Sequence, residues 1–212
     1  MSPFADPPTT AGASVTGPTP SVVPEPRAFR HLGDDVVHHG AIWDVVDAEF
    51  ESPDGERFRR DIVRSRGAVG VIPLVDGPDG TPHTVMVRQY RPPFDDTVLE
   101  IPAGIRDVEG EDDTTTAHRE LIEEVGLDAA SIAVLASFLP SAGMTDSVTT
   151  ICVARDCRRV ARQVHGPEET HMDVVELPLA DAIAMVHAGE IVDAKSVIAL
   201  LMLESGAGRG RG

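Results

Sequence analysis

The chain reads as an α+β protein: a helix–sheet–helix sandwich on a mixed sheet, preceded by a small N-terminal antiparallel β-sheet. Three observations carry that reading. Strand-length apolar runs alternate with turn residues through 67–104, in GAVGVIPLV, HTVMVRQYR and TVLEIPAG. Helical stretches then interleave with further strands, mixed rather than in strict βα alternation. Upstream, VVHHG, AIWDVVDAEF and ERFRRDIVRS offer three strands and no helix.

Taken in order, residues 1–27 are a tail rich in Pro, Ser and Thr. Proline joins neither a helix interior nor a central strand, so disorder is expected there. Residues 28–66 form the small sheet, with SPDGE at 52–56 as a hairpin turn. Three bare strands cannot hide both faces, so they pair with the main domain or a second subunit. Residues 67–205 form the main domain. After its first helix come strands at IAVLASFL, VTTICVAR and MDVVELPL. LADAIAMVHAG and AKSVIALLMLES close it as two helices, stopped by Gly189 and Gly206. Residues 206–212 are a flexible tip. At 212 residues the chain suffices for one ordinary core and a small appendage.

Composition narrows the function. A net charge of −17 argues against a nucleic-acid partner or an anionic membrane surface. It also sets a problem for any phosphate substrate, which a divalent cation solves. Cys152 and Cys157 are spaced C-x4-C, which suits neither a zinc knuckle nor a redox pair, so they read as strand thiols in a reducing cytosol. The eight histidines show no ligand spacing and read as incidental. No cationic n-region with an apolar run opens the chain, and no apolar run approaches membrane length. A soluble cytoplasmic protein is the expectation.

The stretch GIRDVEGEDDTTTAHRELIEEVGL, 104–127, carries the chemistry. Wound as a helix from about Thr114 to Val125, it places Glu120, Glu123 and Glu124 within an arc of roughly 100°. Leu121, Ile122 and Val125 lie round the cylinder, toward a core. Asp113 or Thr114 caps the start, and Gly126 suits a left-handed end. Like charges at helical spacing repel, by about 0.2–0.5 kcal/mol per pair. By itself the cluster is a solvated acidic face. Beside a Gly-bearing loop it reads as a site for Mg²⁺ or Mn²⁺, which take carboxylate oxygens.

PAG followed by REL-x-EE-x-G-L resembles the Nudix box, G-x5-E-x7-R-E-U-x-E-E-x-G-U with U apolar. Arg119, Glu120, Leu121, Glu123, Glu124, Gly126 and Leu127 match in place. One feature departs: seven residues before Arg119 stands Glu111, but six rather than five separate it from Gly104. Either the loop is one residue longer, or Glu109 takes the part of Glu111. RQYR upstream, PSAG downstream, and VVELPL leading to a helix and GEI resemble the ADP-ribose pyrophosphatase branch. The resemblance covers about residues 29–205.

What the resemblance implies is specific. Glu120 and Glu124 are expected to bind metal, with the Ala103 carbonyl, and Glu123 as a further ligand with a catalytic part. Arg119 orients a carboxylate. Glu168 is expected to be the catalytic base, with Glu169 second. Arg91 and Arg88 hold the diphosphate or the terminal ribose. Arg60 and Asp61 resemble an Arg–acid pair that reaches into the partner subunit's site, which implies a homodimer. Trp43 is either a core anchor of the small sheet or a platform for the adenine. The implied reaction is Mg²⁺-dependent hydrolysis of ADP-ribose to AMP and ribose 5-phosphate, Mn²⁺ being an alternative ion. Another nucleoside diphosphate derivative (a sugar nucleotide, NADH or an oxidised nucleotide) is the alternative. A regulator that binds without hydrolysis fits less well, since the box carboxylates are present and no basic patch or helix-turn-helix appears.

Overall fold

A computed structural model describes residues 28–163 and 170–206; the two expected tails, apart from residue 206, fall outside the described residues. The N-terminal strands β1 (Arg30–His39), β2 (Trp43–Glu51) and β3 (Arg57–Ser65) form an antiparallel sheet in that order. The 52–56 turn is where the sequence puts it. Ser52 N–H donates to the Glu56 carbonyl at 2.9 Å, and Gly55 takes the positive φ of 82° that the turn requires. Alternation in β2 buries Val46 and Ala48. Trp43 is 44% exposed and is not the anchor of this sheet, because it stands at the end of β2, beyond the buried pair. Phe50 and Phe58 stack instead, with ring centroids 5.5 Å apart.

The second sheet has seven strands. β4 (Ala68–Asp76), β5 (Pro82–Arg91), β8 (Leu127–Phe138), β9 (Thr149–Arg159) and β10 (Asp173–Pro178) run in the order β10-β5-β4-β9-β8. β6 (Asp96–Glu100) pairs with β5, and β7 (Ala103–Ile105) with β4. β4 and β9 are parallel and the other ladders antiparallel, so the sheet is mixed.

Strand alternation explains the sandwich. Val69 and Val71 of β4 and Val85 and Val87 of β5 turn to one side, against Ala117, Leu121 and Val125 of α1 (Asp113–Val125). Ile72 and Met86 turn to the other, against Ala182 of α2 (Leu179–Ala188) and Leu200 of α3 (Ala194–Glu204). Both faces being covered, the central strands read as unbroken apolar runs.

The small sheet is pinned to this body by loop 140–147. Val63 N–H donates to the Met144 carbonyl at 2.9 Å, and the Thr145 hydroxyl to the Val63 carbonyl at 2.7 Å. The Asp146 carboxylate accepts from Ser65 N–H at 2.9 Å. Among the described residues no helix is long and apolar enough to cross a membrane. Cys152 and Cys157 are free, and burial pushes both thiols up to about 11.

A buried hydroxyl helps to tie α3 to the strand edge. Ser196 is fully buried; its Oγ accepts from Ile101 N–H at 2.8 Å and bonds Asp193 at 2.6 Å. Ser196→Ala leaves the Ile101 N–H buried and unsatisfied. Urea unfolding is expected to show a loss of about 1–3 kcal/mol.

Candidate active site

The helix α1 is set by its ends. Asp112, not Asp113 or Thr114, is the cap: its carboxylate accepts from Thr115 N–H at 2.7 Å. Asp113 is taken by Arg106 instead, at 2.7 Å, and Arg106 also reaches the Thr150 hydroxyl, tying the loop ahead of α1 to β9. Gly126 closes the helix at φ 65°. With Leu121 and Val125 committed to the core, Glu120 and Glu124 fall on the edge of that face and are 7% and 5% exposed.

Both carboxylates lie against the backbone of β7. Ala103 N–H donates to Glu124 Oε2 at 3.0 Å. A Cβ at Gly104 would stand 1.9 Å from Glu120 Oε1, so glycine leaves the room that the Glu120 carboxylate occupies against the strand. Arg119 gathers the remaining acids. Its Nη1 donates to Glu120 at 2.6 Å and Glu123 at 3.2 Å. Its Nε meets Glu111 at 3.4 Å, and Nη2 meets Asp107 at 3.3 Å. Of the two candidates in the longer loop, Glu111 is therefore the one at Arg119; Glu109 is exposed.

Burial pushes Glu120 up to about 7; Arg119 opposes the shift and Glu123 adds to it. Among the described residues, no three His, Cys, Asp or Glu side chains stand ready to hold a metal ion. One oxygen of Glu120 and one of Glu123 are turned to Arg119, and one of Glu124 to the strand.

A cleft of about 350 Å³ opens beside β7, lined by Arg91, Ala103, Gly104, Thr149, Asp193 and Lys195. Pro140 of the PSAG loop stands at it, so that loop lines a pocket rather than making a plain turn. Arg91 forks onto Glu100, Nε at 2.6 Å and Nη2 at 2.7 Å, and the hydrogen bond to Glu100 raises its pKa. Lys195 Nζ bonds Glu100 as well, and Asp193 at 2.9 Å. Burial alone raises the Glu100 carboxyl, but the two cations outweigh it and hold it below its ordinary value.

Other expected residues are scattered. Arg88 lies on the opposite face of β5 from Arg91 and lines a separate cleft with Phe94 and Met185. Trp43 borders a third cleft, of about 470 Å³, with Arg66 and Asp107, which reaches the loop ahead of α1. Arg60 and Asp61 are exposed on β3; the Arg60 guanidinium sits 4.9 Å over the Phe58 ring, and neither residue lines the Arg91 cleft. Glu168 and Glu169 lie outside the described residues. Glu100, Asp193 and Lys195 were missed by the sequence reading. Their signal was a lone acid ending an apolar strand and a lysine in the first turn of a helix.

Fold and box together define a class. The NUDIX domain matches residues 64–200, and the chain belongs to the Nudix family; it is a Nudix hydrolase. It is similar to the ADP-ribose pyrophosphatase of Bacillus subtilis, at 31% identity over 175 residues, covering 82% of this chain and 92% of the relative. It is similar also to the methanol dehydrogenase activator of Bacillus methanolicus, at 36% over 156 residues, 74% of this chain and 82% of the relative. Among solved structures, an ADP compounds hydrolase superposes with a TM-score of 0.71 at 26% identity, covering 88% of this chain and 98% of that one.

The raised pKa of Glu120 has a definite sign. Between its ordinary value of 4.5 and about 7, the folded chain holds more protons than the unfolded one, so stability from this group falls as pH rises. Glu120→Gln removes that loss. In metal-free buffer its melting temperature is expected to rise relative to wild type between about pH 5 and about pH 8. A gap independent of pH shows the group ionising at its ordinary value.

Proposed function

We propose that this chain hydrolyses the diphosphate of ADP-ribose to AMP and ribose 5-phosphate, with Mg²⁺ as cofactor and Mn²⁺ able to replace it. The observation that carries the reading is the pair Glu120 and Glu124, buried against the β7 backbone beside the Arg91 cleft. The donor set suits a hard divalent ion: carboxylates, with a strand carbonyl at Ala103, and no thiolate or imidazole. The crowding of these acids favours a cation over protons. Glu120 and Glu124 hold the ion, with Glu123 and the Ala103 carbonyl as further ligands. When bound, it neutralises phosphate charge and acidifies water.

The chain's own side chains do the remaining work. Arg119 orients the carboxylates it already contacts. Arg91 binds the diphosphate or terminal ribose. Trp43 offers its exposed ring to the adenine from the third cleft. Glu168, or Glu169, removes the proton from the attacking water. Arg88, Arg60 and Asp61 lie outside the Arg91 cleft, and the last two meet substrate only if presented by a second subunit.

The test follows AMP release from ADP-ribose. EDTA is expected to abolish it, and turnover unchanged in chelator overturns the reading. Glu124→Gln is expected to cut kcat by about 100-fold or more with the fold retained. A second reading, another nucleoside diphosphate derivative as substrate, is favoured by the different names of the relatives above. A panel of ADP-ribose, sugar nucleotides and NADH at equal concentration separates the two.

Dimerisation belongs to the same proposal. β1 is exposed along its whole length, yet its Leu32, Val36 and Val37, and Phe29 just ahead of it, are apolar. A second copy of the chain covers them. Light scattering is expected to give twice the 22.5 kDa of the chain. Val36→Asp with Val37→Asp is expected to give the single mass, and a monomeric wild type sinks the dimer.

A further inference from the structure

We propose that Lys195 joins Arg91 as a second cation gripping the anionic part of the substrate, and that Glu100 is the positioning residue that holds both. This rests on the reading of a diphosphate-cleaving site above. Arg91 comes from β5 and Lys195 from α3, yet both line the one cleft that also exposes Ala103 and Gly104. Glu100, with a side chain 3% exposed, is their common partner. Its Oε1 accepts from Arg91 Nε, and its Oε2 from both Arg91 Nη2 and Lys195 Nζ. Arg91 Nη1 has no hydrogen-bond partner among the described residues. Glu124, which accepts from the Ala103 N–H on the same strand, lies close enough to contribute to the raised pKa of Arg91.

Helix stability does not account for Lys195. It stands in the first turn of α3, where the helix dipole disfavours a cation. The link between α3 and the strand edge is already made by Ser196 on Ile101 N–H. The lysine stem runs past Gly70: a Cβ there would be 3.6 Å from Lys195 Cδ, and Gly70 pairs with Ala103. The ammonium is thereby delivered beside the backbone of β7. Two cations held in place by one buried carboxylate give an acidic chain a local attraction for phosphate.

The experiment measures Lys195→Ala, Lys195→Gln and Lys195→Arg against wild type. For ADP-ribose hydrolysis, Ala and Gln are expected to raise KM about 10- to 100-fold with kcat within about threefold. The rise of KM with salt should flatten, because one screened attraction is gone. Arg should recover most of the KM. Gln keeps the stem over Gly70 and carries the test if Ala fails to fold. Unchanged KM and salt dependence, with only a lower melting temperature, overturns the proposal and leaves a structural ion cluster. Calorimetry of ADP-ribose with Ca²⁺ in place of Mg²⁺ separates the two readings. Wild type that binds in Ca²⁺ yet does not hydrolyse ADP-ribose in Mg²⁺ sinks the ADP-ribose hydrolase reading, while the ratio of Kd values still decides the role of Lys195. Wild type that binds neither ADP-ribose nor the rest of the nucleotide panel overturns both.

Discussion

Everything at this site follows from two carboxylates buried four residues apart on one helix. Glu120 and Glu124 are drawn under the surface because Leu121 and Val125, their chain neighbours, belong to the core between α1 and the sheet. Burying an anion without compensation is costly. The compensation here includes the Arg119 guanidinium and the Ala103 N–H, and the missing side chain of Gly104 leaves room for the Glu120 carboxylate. Core packing and site geometry are therefore one constraint. The helix cannot rotate to expose its acids without pulling its apolar face from the sheet.

The cleft beyond β7 carries the complementary charge. In a chain of net charge −17, Arg91 and Lys195 are held together by a carboxylate they share. Two like charges tolerate that proximity because Glu100, and Asp193 behind it, offset them in a partly buried setting where attraction is poorly screened. Acids of α1 and cations of the cleft thus flank one short strand. On the proposed reading, a diphosphate lying across β7 would meet the cations on one side and the α1 acids on the other.

Much of this was legible in the sequence, and the reasons are physical. Period-two alternation and turn residues gave the strands. The glutamate spacing on a helix with an apolar flank placed α1 within a residue of its true start. The cap slipped by one because Asp112 and Asp113 are chemically alike, and only the position of Arg106 decides which is free to cap. Arg88 and Arg91 were joined as binders although three residues apart on a strand they must face opposite ways. Trp43 was weighed both as an anchor and as a stacking platform, and burial depends on where a strand ends against its neighbours. The Glu100–Lys195 contact spans 95 residues of sequence and no periodicity reports it.

The electrostatics of α1 also explain why a metal-binding reading suits this helix better than a solvated acidic face. One guanidinium, on Arg119, contacts four carboxylates: Asp107, Glu111, Glu120 and Glu123. A single positive charge cannot neutralise four negative ones, and Glu124 adds a fifth nearby. Glu120 yields first, rising to about 7 despite its hydrogen bond to Arg119, because burial outweighs that one attraction. A solvated face has no such tension, since water screens its charges and each acid keeps its ordinary affinity for protons. A buried cluster short of positive charge takes it up as protons or as a multivalent cation. On the proposed reading a divalent ion supplies two charges where a proton supplies one.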